Sequence, residues 1–368
     1  MSNLSKADES YYLASQWQLM WRKFRKHRLA VGGGTVLALC YLVALFCVSL
    51  APYDVGRRFP DHIYAPPARV HFVDAEGRLH LRPFVYGLVK EIHPETWVSI
   101  FSEDTSRRFP LRFFVHGDPY KFWGVLRTDV RLLGVEEPGV LFLFGTDDLG
   151  RDLFSRVLYA TRISLSISLV GVLLSFVIGC VLGGISGYYG GSVDMAVQRV
   201  IEFILSLPTI PLWLALAAAL PAQWKPLQVY FGISIVLSAV GWTRLARVIR
   251  GKFLELREED FVLAGKVAGA TDRRIIAGHL IPSFLSFLIV SLTLAVPNMI
   301  LAETALSFLG VGLRSPVVSW GVLMQEAQNV QTIALYPWLM IPGVFVVVTV
   351  LAFNFLGDGL RDAADPYK

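Results

Sequence analysis

Charge is scarce in this chain. Only 17% of its 368 residues are Asp, Glu, Lys or Arg, where an ordinary soluble domain carries about a quarter. Cysteine is scarcer still: Cys40, Cys47 and Cys180 all sit in apolar stretches, with neither a disulfide framework nor metal-ligand spacing. They read as small apolar side chains in packed helices. The phosphate-binding pattern G-x-x-x-x-G-K-[ST] is absent, so the chain is not expected to bind ATP itself. H-E-x-x-H and G-x-S-x-G are also absent, and no Ser, His and Asp arrangement points to an enzyme. The net charge of +5 does not imply nucleic acid, because the basic residues cluster beside apolar runs and no nucleic-acid fingerprint appears.

What is abundant is apolar residue, 54% of the chain, gathered into long runs free of charge. Six runs are long enough to cross a hydrocarbon core, which takes about 20 residues. They are Leu29 to Tyr53, Ile163 to about Gly187, Phe203 to Trp224, the stretch between Lys225 and Arg244, Leu280 to Ala302, and Ile333 to Leu356. Basic residues set their orientation. Arg22, Lys23, Arg25, Lys26 and Arg28 precede the first run, and Arg250, Lys252, Arg257, Lys266, Arg273 and Arg274 follow the fourth. The loop after the third run holds only Lys225, and the loop after the fifth only Arg314. Both termini are therefore expected in the cytoplasm. The first run has too long an apolar core for a cleaved signal peptide and reads as an uncleaved anchor.

Composition divides the chain further. Residues 1–28 form a cytoplasmic segment whose stretch from Tyr11 to His27 places Trp17, Leu19, Met20, Trp21 and Phe24 among basic residues, as in a helix lying on a membrane surface. Residues 29–53 are the first span. Residues 54–144 are a soluble insert on the outer side, expected to be small and β-rich. Side chains alternate on both sides of Ala75, Glu76 and Gly77, which predicts a hairpin, and Phe109 to His116 is a further strand candidate. The four histidines before that second candidate, His62, His71, His80 and His93, are spaced too widely to favour a metal site. Residues 145–356 hold the remaining spans, and 357–368 form a cytoplasmic tail.

The cytoplasmic segment 249–282 reads as a helical hairpin. Glu255 to Lys266 favours helix, Gly265 and Gly269 interrupt it, Thr271 or Asp272 caps a second helix to His279, and Pro282 leads into the fifth span. Ala264, Gly265, Ala268, Gly269 and Ala270 permit close approach by another backbone. With Glu258, Glu259, Asp260, Arg273 and Arg274 around them, they suit docking on a partner protein. Elsewhere, Gly179, Gly183 and Gly187 make a small-residue stripe for helix packing. Arg199 and Glu202, three residues apart, can pair. Glu303 either shapes the outer mouth or is an interfacial carboxylate. Pro208, Pro211, Pro297 and Pro342 are expected to kink their helices, and Asn298 and Asn354 to bond a neighbouring helix or line a pore.

The stretch 257–272 (REEDFVLAGKVAGATD) followed by HLIP at 279–282 resembles the EAA loop of ABC-importer permeases, which holds the helix that couples to the ATPase. Leu263 stands where that family has Glu, and Gly265 where it has Ala. Other stretches are similar to the dipeptide and oligopeptide branch: GTDDLGRDLFSR at 145–156 with RISL at 162–165, GYYGGSVD at 187–194 with Arg199, Glu202 and Pro208, AETALSFLG at 302–310 with SWG at 319–321, and GDGLRD at 357–362 with DP at 365–366. Glu202 replaces the more usual Asp, and the insert 54–144 is longer than the branch's loop.

The resemblance implies an all-α, multi-pass protein of the cytoplasmic (inner) membrane, with the six-helix type I importer permease fold and the β-rich insert between helices 1 and 2. It implies a homologous permease subunit, two ABC ATPase subunits or domains that use ATP and Mg, and an extracytoplasmic solute-binding protein. It assigns Glu259, Asp260, Ala264, Gly265, Gly269, Ala270, Asp272 and Pro282 to the ATPase-coupling loop. No cofactor is expected on this chain. Peptides lead as solute, with nickel complexes, oligosaccharides and opine-like compounds open. The alternative function is a secondary transporter driven by an ion gradient, which would show mid-span charges or inverted repeats.

Overall fold

The computed structural model describes residues 16–95, 99–122 and 124–364, with side chains from residue 18 onward. Helix α1 (Gln16–Lys26) is separated from α2 (Arg28–Leu50) at His27, whose Nδ1 accepts the Ala30 amide at 3.1 Å. The part of the surface-helix expectation before Gln16 lies outside the described residues. Then come α3 (Leu153–Tyr189), α4 (Gly191–Ser206), α5 (Thr209–Ala218), α6 (Pro226–Leu256), α7 (Asp260–Val267), α8 (Asp272–Ile275), α9 (Leu285–Phe308), α10 (Trp320–Met324) and α11 (Ile341–Ala364). Among the described residues five helices are long and apolar enough to cross a membrane: α2, α3, α6, α9 and α11 with the turn before it.

The third expected span is not one helix. It is α4 and α5, bent by 91° at the break between them. Pro208 has no amide hydrogen to donate and forces the residue before it out of helical conformation, and Leu207 accordingly sits at φ −88°, ψ 139°. Pro297 lies inside α9, whereas Pro342 falls in the first turn of α11, where proline is best tolerated. Helices α3 and α6 are longer than the charge-free windows they contain, because each continues into charged turns. The expected tail does not separate: α11 continues through residues 357–364.

The chain divides into two compact units. One comprises 1–38, 167–303 and 348–368. Within it, Phe24, Ala30 and Ala363 pack together, and a larger core lies under α7 and α8.

The other unit comprises 39–166 and 304–347 and contains every described strand. β1 (His71–Val73), β2 (Leu79–Ile92) and β3 (Ser99–Pro110) form an antiparallel sheet in that order. β4 (Arg112–Phe122) and β5 (Leu126–Gly134) form a separate hairpin. Asp74 shapes the first turn: one oxygen accepts the amides of Glu76 and Arg78, the other takes Arg108 Nη1 at 2.6 Å, and Gly77 supplies a φ of +80°. The strand expected at Phe109 to His116 is really the end of β3 and the start of β4. Pro110 cannot donate to the ladder, and the Leu111 amide turns instead to the Pro83 carbonyl at 2.8 Å. Val85, Val135 and Leu141 form the core beneath. The histidines do not converge: His71 bonds Glu103, His80 bonds Asp74, and His62 stacks on Phe101.

Candidate functional site

The hairpin at 257–282 is built from a tight helix stop. Residues 249–256, expected in the loop, are the last turns of α6, so the helix expected from Glu255 begins at Asp260 instead. Helix α7 ends at Ala268 with Gly269 at φ +76°. The Gly269 amide donates to Lys266 O and the Ala270 amide to Gly265 O, each at 3.0 Å. This paired stop satisfies the last carbonyls of α7 and needs a left-handed residue, which is why glycine stands there. Thr271 then precedes α8, though its side chain makes no cap bond. The second helix also departs from expectation: after Ile275 the turns widen to π over Ile276–Leu280. The Pro282 ring would strike the carbonyl four residues back in an α-helix, and a wider turn relieves that clash.

One face of the hairpin is fixed. Val262, Ile275 and Leu280 are fully buried with Tyr188, Ile249, Phe253 and Phe284, and Ala270 packs on them. The Tyr188 hydroxyl donates to Asp272 Oδ1 at 2.6 Å. At the base, Arg250 grips Asp194 with Nε and Nη2, each at 2.5 Å. That fork geometry fixes orientation as well as charge. Arg257 Nη1 reaches Gly187 O at 3.4 Å.

The other face is open. Phe261, Leu263, Ala264, Ala268 and Gly269 are exposed, and Val267 is 90% exposed. Glu259, Asp260 and Pro282 are exposed at its edges, and Gly265 is half-buried. An apolar patch on a helix whose back is locked to the protein can take a partner's groove and pass on a push.

Gly179, Gly183 and Gly187 of α3 lie against α6. A Cβ at Gly183 would meet Ala246 O at 2.5 Å, and one at Gly187 would meet Phe253 Cβ at 2.6 Å and Arg250 O at 2.7 Å. Gly187→Ala should therefore lower stability by about 1–3 kcal/mol, the usual cost of overpacking. At Gly184 the nearest atom is a ring carbon of Phe253 at 3.4 Å, so Gly184→Ala should be close to neutral. Thermal unfolding of the two purified variants separates these outcomes.

The remaining candidates are dispersed. Arg199 and Glu202 pair at 2.8 Å and are exposed. Glu303 is fully buried within α9. Asn298 donates to Leu294 O of its own helix at 3.3 Å, not to a neighbour.

A second polar centre lies in the stretch 145–156. Asp147 is buried and accepts the amides of Leu149 and Arg151 at 3.0 and 2.8 Å. It also binds Arg151 Nε at 2.6 Å and Arg156 Nη1. Glu326 approaches Arg151 at 3.7 Å and Arg156 at 3.9 Å. Asp152 caps α3, accepting the Ser155 amide at 2.8 Å. Gly145 and Gly150 hold positive φ with backbone carbonyls pressed on them, those of Ala65 and Phe59. Sequence reasoning missed Glu326. Its signal was its isolation, since no other Asp or Glu occurs between Glu303 and Asp358.

Asp147, Asp148 and Glu326 bring their carboxylates within 4.8 Å of one another, against the two guanidiniums of Arg151 and Arg156. Burial, and then the Asp148 charge, push Glu326 up to about 7. Its folded pKa exceeds the unfolded value of about 4, so its stabilising contribution is full at low pH and is lost as pH rises towards 7. Thermal stability should fall over that window, and Glu326→Gln should flatten the fall. An unchanged slope in that variant would contradict the assignment.

A family model described as the inner membrane component of binding-protein-dependent transport systems matches residues 177–367, more than half of the chain. A second, the N-terminal transmembrane domain of oligopeptide transport permease C, matches residues 15–67. The dipeptide transport system permease protein DppC of Bacillus subtilis is 40% identical over 225 residues, 61% of this chain and 68% of that one. The oligopeptide permease OppC of Haemophilus influenzae is 42% identical over 224 residues, covering 61% and 70%. A solved inward-facing MetNI methionine ABC transporter gives a TM-score of 0.44 at 18% identity, over 57% of this chain and 97% of that one. The assignment rests on the sequence matches, and they leave the gradient-driven transporter without support. The chain belongs to the family of binding-protein-dependent transport system inner membrane components, and is a multi-pass permease of the ABC importer class.

Proposed function

We propose that this chain is one permease subunit of an ATP-driven importer of peptides, and that the hairpin 257–282 receives the motion of an ATPase subunit. The observation that carries the reading is the hairpin's two-sided construction. Its back is locked by Val262, Ile275 and Leu280 and by the Tyr188–Asp272 bond. Its front presents Phe261, Leu263 and Val267 to a partner. Glu259, Asp260, Ala264, Gly265, Gly269, Ala270, Asp272 and Pro282 form the coupling loop, with Arg199, Glu202 and Glu303 structural or gating. A homologous permease and two ATPase subunits complete the membrane complex, and ATP and Mg bind the ATPases. A solute-binding protein delivers peptide from outside. The basic flanks support six spans with both termini in the cytoplasm, α4 and α5 counting as one, and place the strands of 54–144 outside as a β-rich insert. The names of the dipeptide and oligopeptide relatives support peptide as the solute.

Labelled peptide uptake by cells carrying the intact operon tests this. Uptake should stop when ATP is depleted and persist when a protonophore collapses the ion gradient. Uptake that follows the gradient instead would overturn the reading. Transport of a nickel complex or an oligosaccharide in place of peptide would overturn the substrate.

A further inference from the structure

The β4–β5 hairpin runs down the side of a membrane span. Tyr120 OH lies 2.9 Å from Ser49 Oγ, and the ring of Phe122 stacks on Phe46 at 5.9 Å. Arg131 of β5 is buried and donates through Nη1 to the carbonyls of Val48 and Ala51 at 2.8 and 3.1 Å. A second nitrogen donates to Asp118 O at 3.1 Å. These bonds satisfy the last carbonyls of α2, as a cation at a helix C-terminus does, and tie both strands to it. Going from Asp118 to Phe122 along β4, the partners retreat from the end of α2 into its length. Phe46 lies about 6 Å from that end at 1.5 Å per residue. The turn beyond Phe122 reaches further, to roughly 10 Å below the end of the span.

The tip has the composition that such a depth requires. Its described residues are Phe122, Gly124, Val125 and Leu126. Val125 is 85% exposed and Leu126 64%, with nothing among the described residues covering them. The side of α2 nearby is apolar and exposed at Leu42, Leu45 and Phe46. Val125 N donates to Phe122 O at 3.1 Å and Gly124 N to Lys121 O at 3.4 Å, so insertion does not strand these two donors in hydrocarbon. One residue above the tip, Lys121 and Arg127 stand directly opposite each other in the ladder. Like charges at such a position repel, and among the described residues no carboxylate pairs with either. Two long cationic side chains just above an apolar tip can bury their stems and reach up to phosphate groups.

We infer that the β4–β5 hairpin dips into the membrane: its tip inserts in the leaflet holding the C-terminal end of α2, and Lys121 and Arg127 bind lipid phosphate. The depth, the apolar tip beside the lipid-facing side of a span and the collar of unpaired cations all match an interfacial insertion. The inserted hairpin braces the first span.

The test places a fluorescent dansyl-alanine at position 125 of the full chain, reconstituted in vesicles of phosphatidylcholine and phosphatidylglycerol. Nitroxide-bearing lipids should quench it severalfold more than aqueous iodide does. The same probe at position 116, midway along β4, should show the reverse. Lys121→Glu with Arg127→Glu should shift the position 125 probe towards iodide quenching. Iodide reaching position 125 as freely as 116 would overturn the insertion, since the tip would then lie in water. Quenching by neither agent would overturn it too, because the tip would then be covered by a partner protein or a second copy. Lack of response to the double charge reversal would overturn the role of the cations. None of these readings depends on transport or on ATP.

Discussion

Val267→Asp is expected to abolish ATP-driven uptake while leaving the protein inserted and folded. Val267 touches almost nothing in this chain, being 90% exposed, and aspartate is about as poor a helix former as valine. The fold therefore has little to lose. An ATPase that buries this position loses a desolvated side chain worth about 1.5–3 kcal/mol. It must also bury an unpaired carboxylate, at a further few kcal/mol. At about 1.4 kcal/mol per decade, the assembly weakens by more than a hundredfold. Gly269→Arg should have the same outcome by another route. Its φ of +76° costs a non-glycine residue about 1–2 kcal/mol, which the fold tolerates, while the long cation blocks the docking face. Uptake assays beside a check of membrane insertion distinguish loss of coupling from loss of protein. Normal uptake by both variants would remove the hairpin from the coupling path.

Asp147→Asn is expected to give the largest loss of stability, about 3–5 kcal/mol, the usual cost of removing one partner from a buried ion pair. The amide can keep the bonds from the Leu149 and Arg151 amides that shape the turn. It cannot neutralise Arg151 and Arg156, whose side chains are only 13% and 5% exposed. Asp148 and Glu326 are left to do so from further away. Arg156→Ala should cost a similar amount, because Asp147 is then buried with one guanidinium in place of two. The double variant should cost less than the sum of the two, as expected for directly bonded partners. Unfolding of the solubilised protein by heat measures all three. A loss below about 1 kcal/mol in Asp147→Asn would show that the pair is not the lock of the 145–156 turn.

The parts of this molecule legible in the sequence are those with a periodic or compositional cause. Charge-free runs mark the long apolar helices, because a bilayer demands such runs. The bend at Gly269 was legible because glycine is the residue that takes a left-handed helix stop at least cost. The break at Leu207–Pro208 carried a signal, Pro208, that was read as a kink and is a 91° turn. Local sequence does not say how far a proline-broken helix will bend, because the packing of both halves decides it. The full burial of Glu303 has no local signal, since burial depends on neighbours remote in sequence. The Asp147–Arg156–Glu326 centre was invisible for the same reason: its members are up to 179 positions apart. In the hairpin, the second helix was legible as far as Ile275, and Pro282 was read only as a boundary. Its effect on the turn before it, the π widening, follows from the steric demand of the ring.

The central claim, that the exposed face of α7 seats an ATPase, is tested most directly by a photo-crosslinking residue at position 267. Illumination of native membranes should join this chain to a nucleotide-hydrolysing subunit, identified by mass spectrometry of the adduct, and the same residue on the locked face at position 262 should not. Crosslinking only to lipid, or to no ATPase while cells still take up solute, would contradict the account.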